Sequence, residues 1–279
     1  MIFNETIIDI AGHSAPFRSY VPDAAPECFE KDARPAVIIF PGGGYSFTYA
    51  GEAEPIALKL CAEGICVFIL DYATAPSGKV FPIALAEALT ALKQVRCHAK
   101  EYGIDPNNIA TLGFSAGGHL CACTGTLWNS HILDPYLQGD REDYRPNKII
   151  LCYPVISTDS DIAHKGSFEN LFGLSFNDIP KDMTELVSAE KNVGKHTPPT
   201  FIWSTATDNA VPIQNSLVMA RALADQRVPF ELYIYPHGYH GLCTGDHVTR
   251  KTPFGSDFEC SEWTDKAVKF MYDKHQENK

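Results

Sequence analysis

The chain has 279 residues, 45% hydrophobic and 20% charged, which supports a large buried core and argues against an intrinsically disordered chain. A formal net charge of −11 repels polyanions and speaks against nucleic acid or an anionic membrane as partner, leaving neutral or small substrates. No stretch approaches the roughly 20 apolar residues that cross a bilayer, and MIFNETIIDIAGHSAP at the N-terminus carries acids where a secretory signal carries Lys or Arg, so a cytoplasmic protein of one domain is expected.

In chain order, residues 6–10 and 17–21 are strand-like with no helix between them, which suits an antiparallel hairpin at the edge of a sheet. From residue 36 onward strand and helix alternate. Short apolar runs at 36–40, 65–70, 109–113, 148–153, 200–205 and 230–235 are rich in Val, Ile, Phe and Tyr. Most lack polar alternation, so burial on both faces is expected. Helical stretches lie at 52–63, 82–102, 116–128, 213–226 and 260–275, with Pro82 suited to a first turn and Gly103 to a C-terminal cap. Such alternation predicts an α/β fold: a mostly parallel central sheet with helices on both faces. Residues 156–199 break the rhythm. They hold no long apolar strand, yet Phe168, Leu171, Phe172, Leu174, Met183 and Leu186 are scattered through them, which predicts a small helical cap inserted into the domain.

The nine cysteines are odd in number and form no C-x-x-C. Cys66, Cys121, Cys123 and Cys152 sit in apolar runs, so reduced core residues are expected rather than a disulfide framework or a zinc site. His131, Asp134 and Asp140 lack metal-ligand spacing, and neither a metal nor a cofactor is expected.

The segment NNIATLGFSAGGHLCAC, residues 107–123, carries the chemistry. Gly113-Phe114-Ser115-Ala116-Gly117 matches G-x-S-x-G between an expected strand and an expected helix. A serine on so sharp a bend forces the residues two before and two after it together, where only glycine fits easily. A lone hydroxyl is a weak nucleophile and needs a base, with a third group to orient that base. In this topology the chain order is Ser, then Asp or Glu, then His. Asp208 lies beyond the strand at 200–205, and His240 beyond the strand at 230–235, so both loops open on the same sheet edge as Ser115. Asn209 and Asp71 stand as alternatives for the acid, Asp208 then being only a helix cap, and His237 stands as an alternative base. His119, four residues after Ser115, reads as a structural histidine. An oxyanion needs main-chain N–H donors: Ala116 at the start of its helix, and Gly43 and Gly44 in Phe40-Pro41-Gly42-Gly43-Gly44-Tyr45. Tyr45, Trp128, Phe168 and Phe172 are candidates for lining a substrate pocket, with ordinary packing as the competing reading.

The segments PGGGYSF, DYATAPSGKVFP, GIDPNNIATLGFSAGGHLCA, PPTFIWSTATDNAVP and HGYHGL resemble α/β-hydrolase fold esterases. They resemble in particular the bacterial esterase/lipase branch related to hormone-sensitive lipase and to acetyl-xylan and feruloyl esterases. This resemblance implies an α/β-hydrolase fold with Ser115 as nucleophile, Asp208 as acid and His240 as base. It also implies a short acyl ester as substrate, acetyl on a sugar or xylo-oligosaccharide. Pro41 departs from the lipase branch, which has His in an HGGG motif; the PGGGY form is similar to the carbohydrate-esterase side. Two rivals stand beside this reading. One is a serine peptidase of the prolyl-oligopeptidase type, a group that usually carries a propeller domain for which this length leaves no room. The other is a catalytically inert binding protein, a type that commonly lacks a triad member. Self-association into a homo-oligomer is left open.

Overall fold

The computed structural model describes residues 1–23, 34–78, 80–249 and 258–273. Two strands, β1 (Ile2–Ile10) and β2 (His13–Val21), form the expected antiparallel hairpin, turning at Ala11 and Gly12 with φ of +51° and +84°. Then follow β3 (Arg34–Phe40), α1 (Glu54–Ala62), β4 (Cys66–Leu70), α2 (Ile83–Cys97), α3 (Ala99–Tyr102), β5 (Ile104–Phe114) and α4 (Ser115–Thr126). The second half holds β6 (Lys148–Cys152), α5 (Lys165–Phe172), α6 (Lys181–Val187), β7 (Thr200–Thr205), α7 (Gln214–Asp225), β8 (Phe230–Tyr235) and α8 (Trp263–Tyr272).

All eight strands join one sheet in the order β1-β2-β4-β3-β5-β6-β7-β8. The pairings of β1 with β2 and of β2 with β4 are antiparallel, and the rest are parallel. This is the α/β-hydrolase fold. Every residue of β3, β4, β6 and β7 is buried, because helices cover both faces. On β3, Ala36, Ile38 and Phe40 point into a core shared with α2, α4 and α7, while Val37 and Ile39 point into the core under α1 and α8. Alternation of side chains along one strand thus supplies two cores at once.

The topology also places the site. From β3 the chain steps outward to β4 and then returns to β5 on the other side of β3, which makes a switch point between β3 and β5. Phe40 pairs with Gly113 at the carboxyl ends of these strands, so the loops that follow them lie side by side.

Several boundaries differ from the sequence expectation, and the hairpin strands each begin four residues earlier, at Ile2 and His13. The 109–113 run extends back to Ile104 through an irregularity in which Arg34 pairs with Ile104 and Ala36 with Ile109. The Asp105 carboxylate accepts from the Asn107 amide inside that excursion. The 82–102 helix breaks at His98 into α2 and α3, and the 260–275 helix shortens to Trp263–Tyr272, ending where Asp273 turns extended, with the expected end at residue 275 outside the described residues. Burial on both faces fails for β8: as an edge strand with one neighbour it leaves Phe230 and Ile234 exposed and buries only Tyr235. Between β6 and β7, where no strand was expected, lie α5, α6 and two 3-10 turns.

Candidate active site

Ser115 is the first residue of α4 and directly follows β5. Its φ of +53° is a conformation that costs a non-glycine residue on the order of 1–3 kcal/mol, so the surroundings must impose it. They do so through contact. A Cβ on Gly113 would lie 2.0 Å from the Gly117 carbonyl oxygen, and one on Gly117 would lie 2.1 Å from that of Phe40. Glycine at both positions lets strand, bend and helix touch. The Ser115 carbonyl accepts from the Val155 amide at 3.0 Å, which ties the bend to the segment after β6.

His240, beyond β8, reaches Ser115 Oγ with Nε2 at 2.8 Å, and its Nδ1 lies 2.7 Å from Asp208 Oδ2. A carboxylate only accepts, so Nδ1 carries the proton and the Nε2 lone pair faces the Ser115 hydroxyl. Asp208 Oδ1 accepts from the amides of Ala210 and Val211, each at 2.9 Å. Burial pushes the Asp208 carboxyl up, but the His240 bond, the His240 charge and these amides outweigh it, and the net direction is below the usual carboxylate range. The acid and base loops are also tied to each other, since Thr207 Oγ1 donates to the Gly238 carbonyl and accepts from the Gly238 amide.

The alternatives resolve geometrically. Asp208 does not cap α7, which begins only at Gln214. Asn209 faces the His240 main-chain amide rather than the ring. Asp71 pairs with Arg18 at 2.9 Å and accepts from Thr48. His237 is exposed on the same loop as His240. His119 is buried: its Nε2–H donates to the Val187 carbonyl and its Nδ1 accepts the Tyr45 hydroxyl proton, both at 2.7 Å. Burial drives its pKa down to about 4, so it stays neutral.

The glycine loop is held at four points. The Tyr72 hydroxyl donates to the Pro41 carbonyl at 2.6 Å, and the Gly42 amide donates to Glu52 Oε2 at 2.7 Å. Asn170 Nδ2 donates to the Gly44 carbonyl at 2.8 Å, and Tyr45 reaches His119. Thus Pro41, the departure from the HGGG motif noted in the sequence, is supported by Tyr72 through its carbonyl. The Gly43 and Gly44 amides have no acceptor among the described residues. Their φ values of +128° and +63° suit glycine. Ala116, in the first turn of α4, adds a third donor that a helix leaves unpaired. Two expected pocket residues are misplaced. Tyr45 is 1% exposed and Trp128 4% exposed; the first braces His119 and the second donates to the His196 carbonyl, so neither offers a face to a substrate. Phe168 is fully buried, and Phe172 packs partly buried on the core.

Sequence reasoning missed Glu52, Tyr153, His164 and Asn170. Glu52 read as an ordinary acid opening a helix, and Tyr153 as the end of a strand. His164 and Asn170 fall in the irregular 156–199 region, where no spacing singles them out. His164, bonded to Ser167 Oγ at 2.8 Å, has its pKa lowered by burial and by the nearby His240 charge, against an upward pull from Asp208.

A BD-FAE family profile matches residues 24–223. The chain belongs to the BD-FAE family. It is 34% identical over 216 residues to endo-1,4-beta-xylanase B of Butyrivibrio fibrisolvens, covering 75% of this chain and 32% of that protein. It is 34% identical over 223 residues to an acetylxylan esterase of Xylanibacter ruminicola, covering 78% and 43% respectively. The chain therefore spans less than half the length of these curated relatives. Among solved structures, the acetyl ester-xyloside bifunctional hydrolase of Caldicellulosiruptor lactoaceticus superposes with a TM-score of 0.77 at 38% identity, covering 92% of this chain and 87% of that one. In this BD-FAE member no helix among the described residues is long and apolar enough to cross a membrane, and no cluster of three or more His, Cys, Asp or Glu among them is placed to hold a metal ion.

Proposed function

We propose that this BD-FAE protein is a serine carboxylic-ester hydrolase that removes short acyl groups, acetyl foremost, from sugars or xylo-oligosaccharides. The observation that carries the reading is the unbroken chain from Ser115 Oγ through His240 to Asp208, at 2.8 and 2.7 Å. Nε2 of His240 takes the Ser115 proton as Oγ attacks the ester carbonyl, and Asp208 stabilises the imidazolium that forms. Charge then develops on the carbonyl oxygen, where the Gly43, Gly44 and Ala116 amides receive it. His240 returns the proton to the departing alcohol, an acyl group remains on Ser115, and a water activated by His240 releases the acid. Every step uses groups of this chain, and none needs a cofactor.

Two facts support a short acyl group. Ser115 is only 7% exposed, crowded by the Gly42–Gly44 loop and by the segment after β6. Both an acetylxylan esterase and an acetyl ester-xyloside hydrolase are among the similar proteins. A series of p-nitrophenyl esters from acetyl to dodecanoyl tests this preference, together with acetylated xylo-oligosaccharides. The highest kcat/KM is expected at acetyl, and a maximum at octanoyl or longer would reject the short-acyl assignment.

A further inference from the structure

Glu52 ends a 3-10 turn before α1 and is 2% exposed. A buried carboxyl so near the carboxyl ends of β3 and β5 calls for partners, and it has them on two loops, with a third joined through Tyr153. The Gly42 amide donates to Oε2 at 2.7 Å, from the loop whose next two amides are the proposed oxyanion donors. The Tyr153 hydroxyl donates to Oε1 at 2.7 Å. The Tyr153 oxygen in turn accepts from the Cys243 amide at 3.2 Å, just beyond His240 on the same loop.

Tyr153 is itself forced into place. Its φ is +37°, its amide donates to the Trp203 carbonyl at 2.7 Å, and its ring lies 5.0 Å from the His240 ring at an interplanar angle of 71°. Gly42 sits equally close to the nucleophile, since a Cβ there would lie 3.0 Å from Ser115 Cβ. One carboxyl therefore touches the strap that presents the oxyanion donors and the aromatic wall behind the base.

The donor order fits the ionised form. Both oxygens accept, so a proton on Oε2 would face the Gly42 N–H donor against donor, and a proton on Oε1 would turn the Tyr153 hydroxyl away from its acceptor. Burial pushes the carboxyl pKa up, and the Tyr153 and Gly42 bonds and the His240 charge offset only part of that rise, so the net direction is above the usual carboxylate range.

We propose that Glu52 is a positioning residue of the hydrolytic site: its carboxylate sets the oxyanion loop against Ser115, holds the His240 ring through Tyr153, and adds a second negative charge behind the imidazolium. This rests on the hydrolase reading above. The groups facing His240 are Asp208 from the loop after β7, His164 at the start of α5, Tyr153 after β6 and Glu52. Around Glu52 itself the titratable neighbours are Tyr49, Tyr72, Cys152 and Tyr153.

Glu52→Gln keeps the size of the side chain and removes one acceptor and the charge. Its NH2 then meets either the Gly42 N–H, donor against donor, or the Tyr153 hydroxyl, which must turn its proton away. The expected result with p-nitrophenyl acetate is a kcat roughly 10- to 100-fold lower, as displacement of catalytic groups by a fraction of an ångström produces. KM should stay within about 3-fold, because substrate contacts are untouched. The acid limb of the kcat/KM profile should move to lower pH, because loss of a nearby anion makes the imidazolium harder to form. A folded variant with wild-type kcat, with a KM change in place of a kcat change, or with an unmoved acid limb overturns the proposal. If Glu52→Gln does not fold, Tyr153→Phe decides, since it removes only the bridging hydroxyl: a lowered kcat at constant KM supports the proposal and an unchanged kcat overturns it. Ser115→Ala run in parallel separates the two readings. Should that variant retain wild-type turnover, hydrolysis at Ser115 and the role of Glu52 fall together; should it be inactive while Glu52→Gln is unimpaired, only the role of Glu52 falls.

Discussion

The Tyr45 hydroxyl donates to His119 Nδ1 at 2.7 Å, and that bond joins the glycine loop to the helix that begins at Ser115. Because His119 Nε2 must donate to the Val187 carbonyl, the Tyr45 bond requires a neutral ring. Protonation of Nδ1 would reverse that bond and take from the buried Tyr45 hydroxyl proton its acceptor.

A pH dependence of stability follows. His119 has a pKa lowered from 6.5 to about 4 by burial, so between those values the unfolded chain binds a proton that the folded chain does not. Stability from this group is therefore complete above pH 6.5 and lost as pH falls toward 4, a contribution on the order of 3 kcal/mol. Urea unfolding of the wild type at pH 7.5, 5.5 and 4.5 should show that loss. His119→Gln should be less stable at pH 7.5 and should show a shallower decline. Parallel declines in the two proteins would count against a neutral buried ring.

Asp208→Asn tests the orienting role. Asparagine can still accept from the Ala210 and Val211 amides, but its NH2 group would donate to His240 Nδ1 and select the wrong tautomer. A loss of kcat of roughly 10³- to 10⁴-fold is expected with little change in Tm. Asp71→Asn and Asn209→Ala, whose side chains do not reach the His240 ring, should stay within about 3-fold of wild type. Equal losses in all three variants would contradict the assignment of the acid.

The glycines around Ser115 differ in what they tolerate. Gly113→Ala places a methyl group 2.0 Å from the Gly117 carbonyl oxygen and 2.8 Å from Cys121 Cβ. Overpacking of about 2–3 kcal/mol or more is expected, a Tm lower by roughly 5–10 °C. At Gly44 the nearest atom to a new Cβ is Ser167 Oγ at 3.8 Å, and only the φ of +63° opposes the change, so Gly44→Ala should cost about 1 kcal/mol. Calorimetry that ranks the two in the opposite order would contradict the packing described for the bend.

Much of the frame was legible because its signals are local. Short apolar runs such as 149–152 read as strands buried on both faces, and Gly113 reports a contact with Gly117 within five residues of chain. The order Ser, Asp, His along the sequence places three side chains that the fold brings into one hydrogen-bonded chain. The supports were not legible. Glu52, Tyr153 and Asn170 act across 10, 90 and 126 positions of sequence separation, and no periodicity marks such pairs. Tyr45 and Trp128 misled for a related reason: aromatic side chains near a site serve equally as walls of the core, and only three-dimensional burial separates the two. The edge strand β8 shares the aromatic and β-branched character of buried β7 and differs from it in charge only at Glu231, a signal too slight to mark an edge.

The central claim is that the Ser115 hydroxyl is the nucleophile. Its most direct test is Ser115→Ala assayed for p-nitrophenyl acetate hydrolysis, with the melting temperature measured on the same preparation. Loss of at least about 10³-fold in kcat/KM is predicted, with a Tm within a few degrees of wild type. A folded variant that keeps a tenth or more of wild-type activity would contradict the account.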